Sequence, residues 1–365
     1  MSSRRWDVLR FPTIGGLSLT LSALCAQQAS AHVKWFCAYN IAGQPQGLEN
    51  VLCPNFEMLM LTAFTMLLFG YVVEWSAIGT ALLAALNRVT SGLRDDTDLI
   101  IRACCGFFFV ACWANGGVIL TPELKTASPL IPWIQLALAA CLIWRETLVV
   151  TAAGIAGLFA YAVYQYGIFH LLDYPIFLGI AAYLALVGLQ RDLFGIRPID
   201  VVRFSAAITL MWASVEKWAY PEWTFPLFVT HPGMAMGFSR EFYMRAAGMV
   251  EFTLSFALIL TPLVRRVGAI ILCSMFIAAV PEFGKIDAIG HAPIIAVLLG
   301  IVGDDTPSKR LVHLRLGIKE NLARFKVAVS GWDFLLIPAA YCAALAWFLA
   351  AYYVLHSVLY GTHIA

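Results

Sequence analysis

The chain has 365 residues, 61% of them hydrophobic and only 13% charged, where an ordinary soluble domain carries about a quarter charged. So much apolar side chain has no soluble core to enter, which makes lipid the expected solvent. The formal net charge of +2, with no basic tract interleaved with aromatics, argues against a nucleic-acid partner.

Residues 1–31 open with Arg4, Arg5 and Arg10, run apolar from Ile14 to Ala26, and end in Ala29-Ser30-Ala31. This is the pattern of a secretory signal peptide; an uncleaved first transmembrane helix is the alternative. Cleavage would leave His32 as the N-terminus. Its α-amine, with a pKa of about 8, and its imidazole could then hold one metal ion. That arrangement is similar to the histidine brace of copper proteins, and nitrogen donors suit Cu(II). Residues 32–56 form an extracytoplasmic segment with Cys37 and Cys53. In an oxidising exterior these two are disulfide candidates, with thiolate binding of Cu(I) as the alternative.

Apolar runs then follow near residues 57–80, 99–120, 129–145, 147–167, 172–189, 201–218, 246–262, 267–283, 290–303 and 332–358. A spanning helix needs about 20 residues. With the run near 12–31, the expectation is an all-α fold, a polytopic transmembrane helical bundle of about 10–11 helices. The chain divides into an extra helix and interfacial segment (57–98), a four-helix unit (99–200), a second such unit (201–305), a cytoplasmic amphipathic segment (306–331) and a final transmembrane helix (332–365).

Every second loop is basic: Arg88 with Arg94, Arg145, Arg191 with Arg197, Arg265 with Arg266, then the tract from Ser308 to Lys326. The positive-inside rule puts these loops in the cytoplasm. The expectation is a multi-pass protein of the cytoplasmic (inner) membrane, with the mature N-terminus and the C-terminus outside. His32, His170, His231, His291, His356 and His363 then fall at the outer side, and only His313 inside.

Two segments read alike. "RACCGFFFVACWANGGVILTPE" from Arg102 and "RFSAAITLMWASVEKWAYPE" from Arg203 both open with Arg, carry Trp-Ala mid-run and end in Pro-Glu. Further on, His170 precedes Pro175 as His291 precedes Pro293. These matches suggest two parallel four-helix repeats. In the second unit, "MWASVEKW" from Met211 and "RAAGMVEFTLSFALILTP" from Arg245 resemble the DoxX-like membrane family. That resemblance implies four-helix units tied to quinone-linked sulfur oxidation or redox-stress complexes. It puts Lys217 at the family's helix-one lysine and Glu251 at its helix-two glutamate.

The chemistry-bearing residues cluster at the outer side of the second unit. An acid as deep as Glu251 is costly unless paired or facing water, and Asp287 and His291 are four apart, on one helical face. Glu216, Lys217, Glu251, Glu282 and Asp287 are the cofactor-binding candidates; His32, His170, His231 and His291 are the metal-ligand candidates. An ion-pair network, with Glu251 on Arg245 and Glu282 on Lys285, is the competing reading. Glu74 is expected to pair with Arg102 or Arg88. No nucleotide loop, Ser-His-Asp set or haem-attachment CxxCH occurs. The sequence therefore points to a metal-handling (copper) or redox/quinone-linked component. The alternatives are a proton-coupled small-solute permease or a structural subunit of a membrane complex. The expected partners are the lipid bilayer and other membrane or periplasmic subunits.

Overall fold

A computed structural model describes residues 33–190, 195–306 and 329–363. The candidate signal peptide, His32 and the basic tract 308–326 lie outside the described residues. The main elements are α1 (Pro54–Glu74), α2 (Ala77–Val89), α3 (Thr97–Asn115), a hairpin of β1 (Val118–Ile119) and β2 (Thr121–Lys125), α4 (Leu130–Cys141), α5 (Leu148–Tyr166), α6 (Pro175–Leu189), α7 (Pro198–Ala219), α8 (Arg240–Ala257), α9 (Pro262–Gly303) and α10 (Val329–Tyr360). Each of the ten apolar runs after residue 57 lies on a helix. Prolines sit in the first turn of α1, α6, α7 and α9, where the missing N–H costs nothing. Ser76 and Ser239 cap α2 and α8 through their hydroxyls. The two-stranded hairpin is a small exception in an otherwise helical chain.

Among the described residues, six helical stretches are long and apolar enough to cross a membrane: 54–74, 97–115, 145–166, 198–219, 262–303 and 335–360. The 42-residue α9 is two helices, because Gly284 has φ 75°, ψ −155° in its middle, a conformation favouring glycine. Its halves correspond to the two separate runs expected at 267–283 and 290–303. Phe69, Ile78, Leu99, Trp133, Trp347 and Val358 stay more than half exposed. So many large apolar side chains facing outward identify a lipid-facing surface. The protein is a polytopic helical membrane bundle.

Packing follows chain order in a closed ring: α3 on α4, α4 on α5, α5 on α6, α6 on α7, α7 on α8, α8 on α9, and α9 back on α3. Helix α1 packs on α8 and α10, and α10 packs on α7. The basic loops gather at one end, where Arg94 binds Asp305, and Arg197 and Arg265 bind Asp304. Arg102 pairs with Asp98 and donates to the Leu142 and Ile143 carbonyls.

Glu74 corrects an expectation. It does not pair with Arg102 or Arg88; its Oε2 accepts from Thr261 Oγ1 and from the backbone N–H groups of Leu263 and Val264 at 3.1 and 3.2 Å. A carboxylate at the positive end of α9 is its own solution to burial, without an arginine.

Candidate functional site

The end opposite the basic loops is closed by an inward turn of the chain, Val33–Trp35, just before Cys37. Lys34 is wholly buried there and binds two carboxylates, Asp173 and Glu216, the latter at 2.5 Å. Asp173 precedes α6, and Glu216 lies in the last turn of α7. The Lys34 ammonium also lies over the Tyr39 and Trp223 rings, 5.6 and 5.8 Å from their centroids. Burial alone would push the ammonium pKa down, but Asp173 and Glu216 overcome this and hold it well above the ordinary lysine value. The Asp173 carboxyl is pushed up by burial, against the pull of Lys34.

Beside this triad, His170 Nε2 lies 2.7 Å from Glu123 Oε1, both buried. The rings of Tyr39 and Tyr166 meet the imidazole edge-on. Glu216 and Lys217 are neighbours on α7, so their side chains diverge by about 100°. Glu216 turns to Lys34, and Lys217 turns to Glu251 on α8 at 2.6 Å. The result is a belt of three neighbouring groups: Glu123 with His170, Asp173 and Glu216 on Lys34, and Lys217 with Glu251. Four carboxylates face two ammonium groups and one imidazole.

The belt borders a pocket with about 640 Å³ of atom-free space, part of it open to solvent. Its polar wall includes Asp173, Thr209, Lys217, Glu251 and His291, and its apolar wall includes Trp35, Phe177 and Phe276. His291 is held between the Trp35 and Phe276 rings, 4.8 and 4.6 Å between centroids. Its Nδ1 lies 3.2 Å from Asp287, one turn earlier on α9. Among the described residues neither Asp287 oxygen accepts a hydrogen bond. Trp35 is fixed by its indole N–H, which donates to Thr121 Oγ1 at 3.1 Å.

Trp35 also packs against the backbone of α9. A Cβ at Gly290 would lie 2.0–2.5 Å from three atoms of its ring. Gly290→Ala is expected to unseat Trp35 and cost about 1–3 kcal/mol, as overpacking does. A red-shifted tryptophan emission and an earlier unfolding midpoint would register it; an unchanged spectrum would refute the seating.

A second pocket, with about 520 Å³ of atom-free space that is partly open to solvent, lies beside the first, lined by Gln46, Trp218, Glu222, Glu241 and Arg245. Lys217 lines both, so the Lys217–Glu251 pair forms part of the wall between them.

Of the residues singled out from sequence, Glu216, Lys217, Glu251, Asp287 and His291 come together at the belt and cavity. Glu282 does not: it is 56% exposed and pairs with His231 Nδ1 at 2.5 Å. The expected pairing Glu251–Arg245 is replaced by Glu251–Lys217, and Glu282–Lys285 by Glu282–His231. Arg245 instead donates to the Asn50 carbonyl. The metal expectation also changes. His170, His231 and His291 each face a different carboxylate, and among the described residues no group of three His, Cys, Asp or Glu could hold an ion. Cys37 and Cys53 are free thiols rather than a disulfide. Cys37 packs with the Leu227–Met244 cluster, while Cys53 packs against the main core at the start of α1.

Lys34, Glu123 and Asp173 were missed as site residues. The available signal was their rarity: each is a charge in a short segment flanked by aromatic or apolar residues ("HVKWF", "LTPEL", "LLDYP"). No family model matches the chain, and neither the curated proteins nor the solved structures include one significantly similar to it.

Proposed function

We propose that this membrane protein binds a small amphipathic ligand with a flat, hydrogen-bonding ring, of the quinone class, in the cavity between α6, α7, α8 and α9, and exchanges protons with it. One observation carries the reading: a cavity with aromatic walls whose polar side holds the buried Asp173, the Lys217–Glu251 pair and His291 beside Asp287. Aromatic walls accept a flat ring, while Lys217 and His291 can donate to its carbonyl oxygens. Glu251 and the Asp287–His291 pair can supply or take the protons that such a group needs when its charge changes. The DoxX-like resemblance supports the same choice, since its lysine and glutamate correspond to Lys217 and Glu251. The basic loops support an extracytoplasmic location for the cavity. Copper handling would rest on His32, outside the described residues, because the other three candidate histidines are committed to separate carboxylates.

A proton-coupled permease is the second reading, favoured by Lys217 standing between two cavities. Titration of the purified protein with a short-chain quinone analogue, followed by tryptophan quenching, separates the two. Saturable quenching, weakened about tenfold by His291→Ala as expected for loss of one good hydrogen bond, supports quinone-class binding. Absence of quenching, together with proton-dependent solute uptake in vesicles, would replace it with the permease.

A further inference from the structure

The basic end of the bundle holds a second concentration of buried charge, unrelated to the cavity. Arg203 on α7 and Arg265 in the first turn of α9 are both 0% exposed. Among the described residues, none of the three guanidinium nitrogens of Arg203 donates a hydrogen bond, and neither do Nε and Nη1 of Arg265. Arg203 Nη2 lies 2.8 Å from Asp200 Oδ1 without hydrogen-bond alignment. Arg265 Nη2 is used, donating to the Asp304 and Thr306 carbonyls at 3.0 and 2.8 Å. Arg197 links the two arginines, pairing with Asp200 beside Arg203 and with Asp304 beside Arg265.

Among the described residues, these bases draw on the same two acids. Asp200 is shared by Arg197 and Arg203, and Asp304 is shared by Arg197 and Arg265. Among the described residues, three arginines therefore share two carboxylates, and five buried donor nitrogens make no hydrogen bond. Both arginines have a carboxylate nearby, but buried polar groups in native proteins are nearly always hydrogen-bonded, and these donors are not.

We infer that Arg203 and Arg265 form a binding site for a phosphate group at the basic end of the bundle. Two planar guanidinium forks present several N–H donors, a pattern matched by a tetrahedral oxyanion with several acceptor oxygens. The site lies one layer beneath Arg197 and Asp200, whose side chains are 21% and 20% exposed. Phosphate chemistry has two sources at a membrane surface: a phospholipid headgroup and free inorganic phosphate. The site stands independently of the cavity and of any ligand bound there.

The test uses the full-length chain, purified in detergent and stripped of lipid, with thermal unfolding as the readout. Inorganic phosphate, a short-chain phosphatidic acid, a diacylglycerol of equal chain length and chloride at matched ionic strength are compared. A rise in Tm with phosphate identifies the free anion as sufficient. A rise with phosphatidic acid alone identifies the headgroup of a lipid. Either result supports the site, provided that Arg265→Gln or Arg203→Gln removes the shift. Equal shifts with diacylglycerol or chloride would overturn it, and so would a shift that survives both substitutions. Should neither variant fold, native mass spectrometry of the unaltered chain decides. A retained adduct of phosphate or phosphatidic acid supports the site, and its absence with both probes refutes it.

Discussion

Lys34→Ala is expected to lower stability by about 3–5 kcal/mol, the usual cost of removing one partner from a buried ion pair. The loss arises less from the contacts removed than from the charges left behind. Asp173 and Glu216 are both buried and converge on the same ammonium. Without it, two carboxylates share an apolar pocket, and at least one must take up a proton. Lys34→Met keeps the stem volume and should cost nearly as much, which separates charge from packing. Adding Asp173→Asn and Glu216→Gln to Lys34→Met should recover most of the loss, because neutral amides no longer require a counter-charge. Denaturant unfolding in detergent across this series checks the argument; a full-sized loss persisting in the triple variant would refute it. The pH dependence has a definite sign. The folded-state pKa of Lys34 is raised, so its contribution is fully present below the unfolded value of about 10.4 and is lost only as pH rises above that. Because the Lys34→Ala folded state must keep a proton on Asp173 or Glu216 that its unfolded state releases, the deficit should grow as pH rises above the ordinary carboxylate range.

The second large effect concerns Lys217 and Glu251. Lys217→Met and Glu251→Gln should each weaken quinone-analogue binding by about 10- to 100-fold, the scale of a hydrogen bond to a charged group. Combined, they should weaken it by less than the product of the single effects, because each single change already leaves the other partner unmatched. A double-mutant cycle on the quenching titration reads this coupling. Strict additivity would mean that the 2.6 Å contact has no energetic role in binding. Glu222 is a suitable control: it lines the neighbouring cavity, and substitution there should leave the titration nearly unchanged.

The helical framework was legible because hydrophobic run length and loop charge are local signals. Each apolar run after residue 57 is found on a helix, and the break inside α9 was foreshadowed by the gap between two runs around Gly284. The candidate site was legible only in its residues. Burial makes Glu216, Lys217, Glu251, Asp287 and His291 conspicuous as charges in apolar sequence, but nothing local says which acid meets which base. Arg245 is a plausible partner for Glu251 by spacing, yet the ring packing brings α7 alongside α8 and supplies Lys217. Glu74 was assigned a basic partner because a buried acid usually needs one, whereas a helix N-terminus met the need. Lys34 was overlooked because a lysine in a short loop is normally solvated, and only the tertiary arrangement turns it inward.

The inward turn at Val33–Trp35 also constrains the order of assembly. Lys34 binds Asp173, 139 residues later, and then Glu216 beyond that, while Trp35 rests against Gly290. None of these partners exists when the first helices are made, so the earliest described segment must be among the last to find its place. During synthesis the Lys34 ammonium has to remain in water or among lipid headgroups until α7 has been inserted. The turn then acts as a keystone, set only after the arch of helices beneath it has closed.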